Sequence, residues 1–260
     1  MAFDVNVSII IPVKDEAENI RELAAELSAV LDGCSWQWEC IWVNDGSTDG
    51  TQEVLERVVR DDPRHRFLTF ESNAGQSAAF WAGFREARGA ILATLDGDGQ
   101  NDPSDIPGLV RMVMDGHVDM ANGYRVRRKD SLLRKVASVV ANGFRNAVTG
   151  RTVRDVGCSC RAFRRECVEC LPRFAGMHRF LPTLAGLEGF RLGEFPVRHR
   201  PRLRGKTKYG INDRLWVGLL DTMGVWWLRK RAFRYRVVRR SGEGGHSGAS
   251  ERIPCPRVSP

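Results

Sequence analysis

What most constrains this chain is an alternation: short apolar runs exchange with helix-spaced segments repeatedly before residue 100. Val7-Ser-Ile-Ile-Ile-Pro-Val13 is a continuous run of the kind buried on both faces of a sheet. Glu16–Leu31 follows, with Ile20, Leu23, Leu27, Val30 and Leu31 at helical spacing. Glu39–Asn44, Arg66–Glu71 and Ala90–Leu95 read as further strands, with helices over Gln52–Arg60 and Gly75–Arg88 between them. Gly46 allows a tight turn before the second helix, and Asp49 or Thr51 is placed to cap it. Such alternation predicts an α/β fold with a mostly parallel central sheet flanked by helices on both faces.

Ligands of such sheets bind beyond the carboxyl ends of the strands. The polar loops fall there: Pro12–Glu16, Asp45–Ser47, Asn73–Gln76 and Asp96–Gln100 each follow a strand. Any one alone is ordinary strand-to-helix turn chemistry, but four together predict a single crevice. In Leu95-Asp-Gly-Asp-Gly-Gln100, side-chain alternation points Asp96 and Asp98 the same way, and Gln100 joins them if the backbone stays extended. Hard oxygen donors of this type suit Mg²⁺ or Mn²⁺ carrying a substrate diphosphate. No glycine-rich dinucleotide fingerprint or P-loop is present, so a nucleotide must be held by other means.

Further on, Pro103–Asp115 and Leu132–Val148 read as helices, and Val118–Tyr124, Cys158–Phe163 and Phe190–Val197 as strands. Six Arg/Lys then occupy the eleven positions from Arg198 to Lys208. A charge run is commonly a solvated face, yet Gly205 and Thr207 within it fit a loop that wraps phosphate oxygens. Ile211–Leu228 places Leu215, Leu219, Leu220, Met223 and Trp227 on one helical face, beside Trp216 and Trp226. Seven Arg/Lys crowd into Arg229–Arg240, and the remainder past Ser241 has the composition of a disordered tail. The expected organisation is a catalytic unit over 1–210, an amphipathic helix with a basic segment over 211–240, and a tail over 241–260.

Charge divides the chain. Residues 1–124 carry 9 Lys/Arg against 22 Asp/Glu, and residues 125–260 carry 31 against 10. An acidic first half suits a metal and its nucleotide, and a basic second half suits phosphates or anionic lipid. The start lacks the pattern of a signal peptide, and Leu215–Leu228 is too short to span a bilayer, so a cytoplasmic protein on the membrane surface is expected. Seven cysteines without an export signal predict reduced thiols. Cys158-x-Cys160 with Cys167-x-x-Cys170 resembles a zinc spacing, but buried free cysteines are the commoner reading.

The order and spacing of these motifs resemble glycosyltransferase family 2, in its dolichyl-phosphate mannose synthase-like, polyprenyl-phosphate branch, over about residues 5–230. The carriers are Ile10-Ile-Pro-Val-Lys-Asp-Glu-Ala-Glu-Asn19, Val43-Asn-Asp-Gly-Ser-Thr-Asp-Gly-Thr51, Asn73-x-Gly75, Leu95-Asp-Gly-Asp-Gly-Gln100 and Arg202-x-x-Gly-x-Thr-Lys208. The resemblance implies a GT-A type nucleotide-diphospho-sugar transferase fold. It puts Pro12, Val13, Glu16, Asp45 and Asn73 around the nucleoside, with Asp45 reading the base. Asp96 would lie against ribose, diphosphate and metal, while Asp98 and Gln100 would ligate the cation. Arg125, Arg202, Thr207 and Lys208 would face donor and acceptor phosphates, with Arg202 and Lys208 catalytic beside Asp96 and Asp98. Lys14-Asp15 and Asn44 depart from the commoner pattern, which leaves the base open.

The implied reaction is inverting transfer of a sugar from a nucleotide-diphospho-sugar, GDP-mannose or a UDP-sugar, to dolichyl or undecaprenyl phosphate. A phosphate acceptor is largely dianionic at neutral pH and needs no general base, in keeping with a basic acceptor side. The alternative is a hydroxyl of a soluble or cell-envelope glycan, for which Asp155 is the candidate base. The basic runs lack interleaved aromatics, so nucleic acid is not an expected partner, and a non-catalytic nucleic-acid binder is the alternative of a different class. The apolar helix would meet an anionic membrane surface, or else a second copy of the chain or a membrane partner subunit.

Overall fold

A computed structural model describes residues 5–126, 153–201 and 211–231 of the chain. The expected Leu132–Val148 helix, Arg202, Thr207, Lys208 and the tail lie outside the described residues, as do the side chains of Leu215, Trp216 and Leu219.

Seven strands form one sheet: β1 (Val7–Val13), β2 (Trp38–Asn44), β3 (His65–Thr69), β4 (Ile91–Thr94), β5 (Met120–Arg125), β6 (Arg161–Arg164) and β7 (Leu192–Val197). Their order is β3-β2-β1-β4-β6-β5-β7. All pairings are parallel except those of β6, which runs antiparallel to both β4 and β5. The expected strand over Cys158–Phe163 therefore begins three residues late, because Cys158–Cys160 serve as the approach to β6.

Helices α1 (Ala17–Leu31), α2 (Thr51–Asp61), α3 (Gln76–Glu86) and α4 (Ile106–Met114) connect or flank the strands. The α4 segment opens with a 3-10 turn at Pro103–Asp105, where the Asp102 carboxylate accepts from Ser104 N and proline occupies the first turn. Two short helices, α5 (Glu166–Glu169) and α6 (Leu181–Leu187), precede the long α7 (Ile211–Arg231).

Every residue of β1 and β2 is buried. Alternation sends Val7, Ile9, Ile11 and Val13 into a core with Leu23 and Leu27 of α1 and Leu109 of α4. Ile10, on the opposite face, joins Phe80 and Phe84 of α3 and Phe163. The result is a three-layer helix-sheet-helix arrangement whose rigid centre holds the loops at the carboxyl ends of β1 to β4.

Candidate active site

From β1 the chain winds outward through β2 to β3, then α3 carries it back across to β4 on the other side of β1. The winding reverses between β1 and β4, the place where parallel sheets open a crevice. Gly97 seats that junction: a Cβ there would stand 2.5 Å from Val13 Cγ1 and 3.1 Å from Pro12 O, so the Asp96–Asp98 turn lies directly on the end of β1.

The four loops expected to converge are joined by hydrogen bonds. Lys14 Nζ donates to Gly46 O at 2.8 Å, Asp15 N to Ser47 Oγ at 2.8 Å, and Glu16 N to Thr51 Oγ1 at 3.0 Å. Thr51 therefore uses its hydroxyl to fix the first loop, while Asp49 accepts from the Thr51 N–H at the start of α2. Pro12 and Val13 are buried and Glu16 half-buried, its carboxylate accepting from Asn19 Nδ2 at 2.6 Å.

Asp45 is buried, and its carboxylate accepts from Ala74 N at 2.7 Å and Gly75 N at 3.0 Å. Those bonds tie the β2 loop to the start of α3. Gly46, at φ +64°, has the Ser72–Asn73 backbone where a Cβ would sit. Asn73 is exposed at the rim.

Asp96 closes the chain of contacts. Gln76 Nε2 donates to its Oδ1 at 2.9 Å and Ser159 Oγ to its Oδ2 at 2.6 Å. The backbone does not stay extended here: β4 ends at Thr94, residues 97–98 turn, and Gly99 has φ +71°. The two carboxylates therefore share a turn rather than a strand face, and Asp98 Oδ1 accepts from Gln100 N at 3.1 Å. Gln100 points its amide nitrogen at Arg200 O, 3.3 Å away. Burial first, and then the Asp98 charge, push the Asp96 carboxyl above the usual range, against the Ser159 bond, the Arg161 charge and the Gln76 bond. A desolvated carboxylate repelled by a second one is the setting that a bound cation relieves.

The basic run begins beside this turn. Arg200 N donates to Gln100 O at 2.8 Å, and Asn101 and His199 form an isolated antiparallel bridge. Two of the run's charges serve that anchorage. Arg200 reaches Glu26 at 2.7 Å and Asp102 at 3.0 Å, and Arg198 lies 3.7 Å from Asp102. Burial raises Asp102, but the bonds from Ser104 and the charge of Arg200 outweigh it and hold its carboxyl below the usual range.

Arg125, at the end of β5, is held by Asp155: Nε donates to Oδ2 at 2.7 Å and Nη2 to Oδ1 at 2.9 Å. The candidate base is thus engaged by a guanidinium. Three further polar residues, one bonded to Asp96 and two packed near it, carry no signal in the sequence. Ser159 is the middle residue of Cys158-x-Cys160, a spacing that draws attention to the cysteines and not to the serine. Arg161 is 3% exposed and donates to Asn122 Oδ1, His178 O and Val156 O. His178 meets Ser77 Oγ at 2.7 Å, and burial, then the Arg179 and Arg161 charges, lower it to about 3. Three of the four cysteines of the zinc-like spacing are buried thiols, and Cys170 is half-buried: burial pushes Cys158 up to about 11, Cys167 up to about 12 and Cys160 well above its ordinary value.

The sheet and its switch-point crevice have the GT-A architecture. Glucosyl-3-phosphoglycerate synthase from Mycobacterium tuberculosis, solved with Mn²⁺, uridine-diphosphate-glucose and phosphoglyceric acid, superposes with a TM-score of 0.65 at 18% identity, over 86% of this chain and 79% of that one. A sequence model of glycosyl transferase family 2 matches residues 8–171. The chain is 37% identical over 223 residues to dodecaprenyl-phosphate galacturonate synthase of Rhizobium johnstonii, covering 84% of this chain and 66% of that protein. It is 36% identical over 206 residues to undecaprenyl-phosphate 4-deoxy-4-formamido-L-arabinose transferase of Salmonella enteritidis, covering 79% and 63%. This chain belongs to glycosyl transferase family 2. It spans about two thirds of the length of these curated relatives.

Proposed function

We propose that this chain is the catalytic unit of an inverting glycosyltransferase that moves a sugar from a nucleotide-diphospho-sugar to a polyprenyl phosphate. The carrying observation is the hydrogen-bonded ring of loops around Asp96, with the basic run anchored to the adjoining Gln100. Both relatives above are named for polyprenyl-phosphate products or acceptors, which supports the lipid acceptor.

In this reading Pro12, Val13, Glu16, Asp45 and Asn73 surround the nucleoside, and Asp45, whose carboxylate also fixes the start of α3, reads the base. Asp96, Asp98 and the side-chain amide oxygen of Gln100 form an all-oxygen donor set suited to Mg²⁺ or Mn²⁺. The cation, when bound, offsets charge gathering on the leaving diphosphate. Arg202, Thr207 and Lys208 follow directly from the Arg200 anchor and would supply charge-assisted donors to the reacting phosphates. Arg125 would face the phosphates from the β5 side, with Asp155 offsetting much of its charge. That pairing weighs against Asp155 as a general base, and so against a hydroxyl acceptor.

The same reading divides the chain into a catalytic unit over 1–210, a helix and basic segment over 211–240 and a tail over 241–260. No helix among the described residues is long and apolar enough to cross a membrane. α7 buries Thr222 and Val225 against the catalytic unit and leaves Leu220, Met223, Trp226 and Trp227 outward, 68%, 52%, 41% and 56% exposed. Arg229, Lys230 and Arg231 follow on the surface. An apolar stripe ending in exposed cations fits an anionic cytosolic membrane surface, where the lipid acceptor resides.

The test is incorporation of label into the organic phase when the chain is incubated with a polyprenyl phosphate. The donors would be nucleotide-diphospho derivatives of galacturonate, 4-deoxy-4-formamido-L-arabinose, mannose and glucose. Label entering lipid from one of them is the expected result; label entering only water-soluble products would overturn the lipid acceptor.

A further inference from the structure

We infer that Ser159 and Gln76 are positioning residues that aim the Asp96 carboxylate while leaving its charge intact for a cation. The inference rests on the reading that Asp96 and Asp98 hold a divalent metal.

Each Asp96 oxygen accepts one neutral donor, Gln76 Nε2 on Oδ1 and Ser159 Oγ on Oδ2. The direction of the Ser159 proton is dictated by its other partner. Asn101 Nδ2 donates to the same Ser159 oxygen at 2.8 Å, so the single hydroxyl proton goes to Asp96. The backbone carrying Ser159 is fixed in turn, since Thr94 Oγ1 donates to Ser159 O at 2.5 Å. Donors from α3 and from the approach to β6 thus meet at one carboxylate, with Asn101 behind Ser159 setting the direction of its hydroxyl.

Asp45 is also held by neutral donors, the backbone N–H groups of Ala74 and Gly75, but three other shielded aspartates are each gripped by a guanidinium. Asp102 is paired with Arg200, Asp119 with Arg191 and Asp155 with Arg125. Asp96 has a guanidinium close by in Arg161, but that side chain donates to Asn122 Oδ1, His178 O and Val156 O instead. An arginine bound directly to Asp96 would orient it, but it would also neutralise it and compete with a cation for the same oxygens. Neutral donors orient a ligand without that competition, as the outer partners of metal-binding side chains do.

The experiment titrates Mn²⁺ alone into the full, metal-free chain and follows the free-ion signal by electron paramagnetic resonance, so no donor, acceptor or turnover is needed. Wild type should bind, and Asp98→Ala should not. Ser159→Ala and Gln76→Leu should each weaken binding about tenfold or more, whereas Ser159→Thr, which keeps the hydroxyl, should stay within about threefold. Gln76 is half-buried at the first turn of α3, so Gln76→Leu supplies the measurement if Ser159→Ala does not fold. Wild-type affinity in both Ser159→Ala and Gln76→Leu, with binding lost in Asp98→Ala, would overturn the positioning role and leave the metal reading standing. A wild-type chain that binds no Mn²⁺ would instead overturn the metal reading, and this inference with it.

Discussion

Arg125 and Asp155 meet edge to edge through two hydrogen bonds, at 2.7 and 2.9 Å, with side chains only 15% and 12% exposed. The geometry is the parallel fork in which a guanidinium and a carboxylate match best. It gives Arg125 a structural partner whether or not a phosphate is near. Removing one member leaves a shielded charge without its counterpart. Arg125→Ala or Asp155→Ala should therefore cost about 2 to 3 kcal/mol, somewhat below fully buried pairs because some solvent reaches this one. Urea unfolding of both single variants and of Arg125→Met/Asp155→Leu measures the coupling. The double variant should be less destabilised than the sum of the singles, and plain additivity would mean the fork contributes nothing.

Asp98→Ala should abolish sugar transfer while leaving the fold in place. The side chain is half-buried in a turn, where it accepts from the nearby Gln100 N–H. Loss of a bond within the same turn should lower stability by only about 1 kcal/mol. Transfer at near wild-type rate with Mg²⁺ or Mn²⁺ supplied would show that the second carboxylate is not a ligand.

The structure also sets an acid limit through two histidines. His65 is buried and accepts the Trp42 indole N–H on Nδ1 at 3.1 Å, with Ser28 Oγ 3.0 Å from Nε2. Burial lowers it to about 4, against the charge of Asp62. His178 is lowered to about 3 in the same way. In the unfolded chain both take a proton near pH 6.5. Between the folded and unfolded values the unfolded state holds more protons, so stability is full above about pH 6.5 and declines as pH falls through 6 and 5. His65→Asn should flatten the slope of unfolding midpoint against pH in that window. An unchanged slope would show that His65 titrates alike in both states.

Exposed apolar side chains on α7 should matter for membranes and not for the fold. Replacing Leu220, Met223, Trp226 and Trp227 together by serine removes the outward stripe while sparing the buried Val225. Co-sedimentation with anionic vesicles should fall about tenfold or more, as expected from lost apolar burial at the interface, and added salt should weaken the wild type in the same direction. The thermal midpoint should barely move. A drop in midpoint with vesicle binding preserved would place the stripe in a protein contact instead.

Much of this was legible in the chain itself. Short apolar runs and helical spacing marked β1 to β4 and α1 to α4 to within a few residues, because the burial of a strand or of a helix face is recorded in neighbouring residues. The four polar loops could be assigned to one crevice for a related reason: parallel strands put every strand-to-helix turn at the same end of the sheet. Asp96 and Asp98 stood out through their position after the fourth strand. Ile211–Leu228 was visible as a helix with an apolar stripe, and the structure extends it to Arg231.

What only the tertiary structure decided depends on contacts between distant residues. Ser159 reaches Asp96 across 63 positions and Asp155 reaches Arg125 across 30. Those meetings follow from the insertion of β6 antiparallel between β4 and β5, a register that no local period records. The same holds for charge. The run from Arg198 to Lys208 looked uniform in sequence, yet Arg198 and Arg200 are committed to Asp102 and Glu26, acids contributed by other elements. Which side of α7 faces outward was likewise undecided until Thr222 and Val225 were seen to be buried, Val225 in the cluster of Met177 and Phe180, leaving Leu220, Met223 and Trp227 turned away. Local patterns set which elements form, because each residue's hydrophobicity acts on its own neighbours; the partners of a buried polar group are set by sheet order, which only the folded chain brings into being.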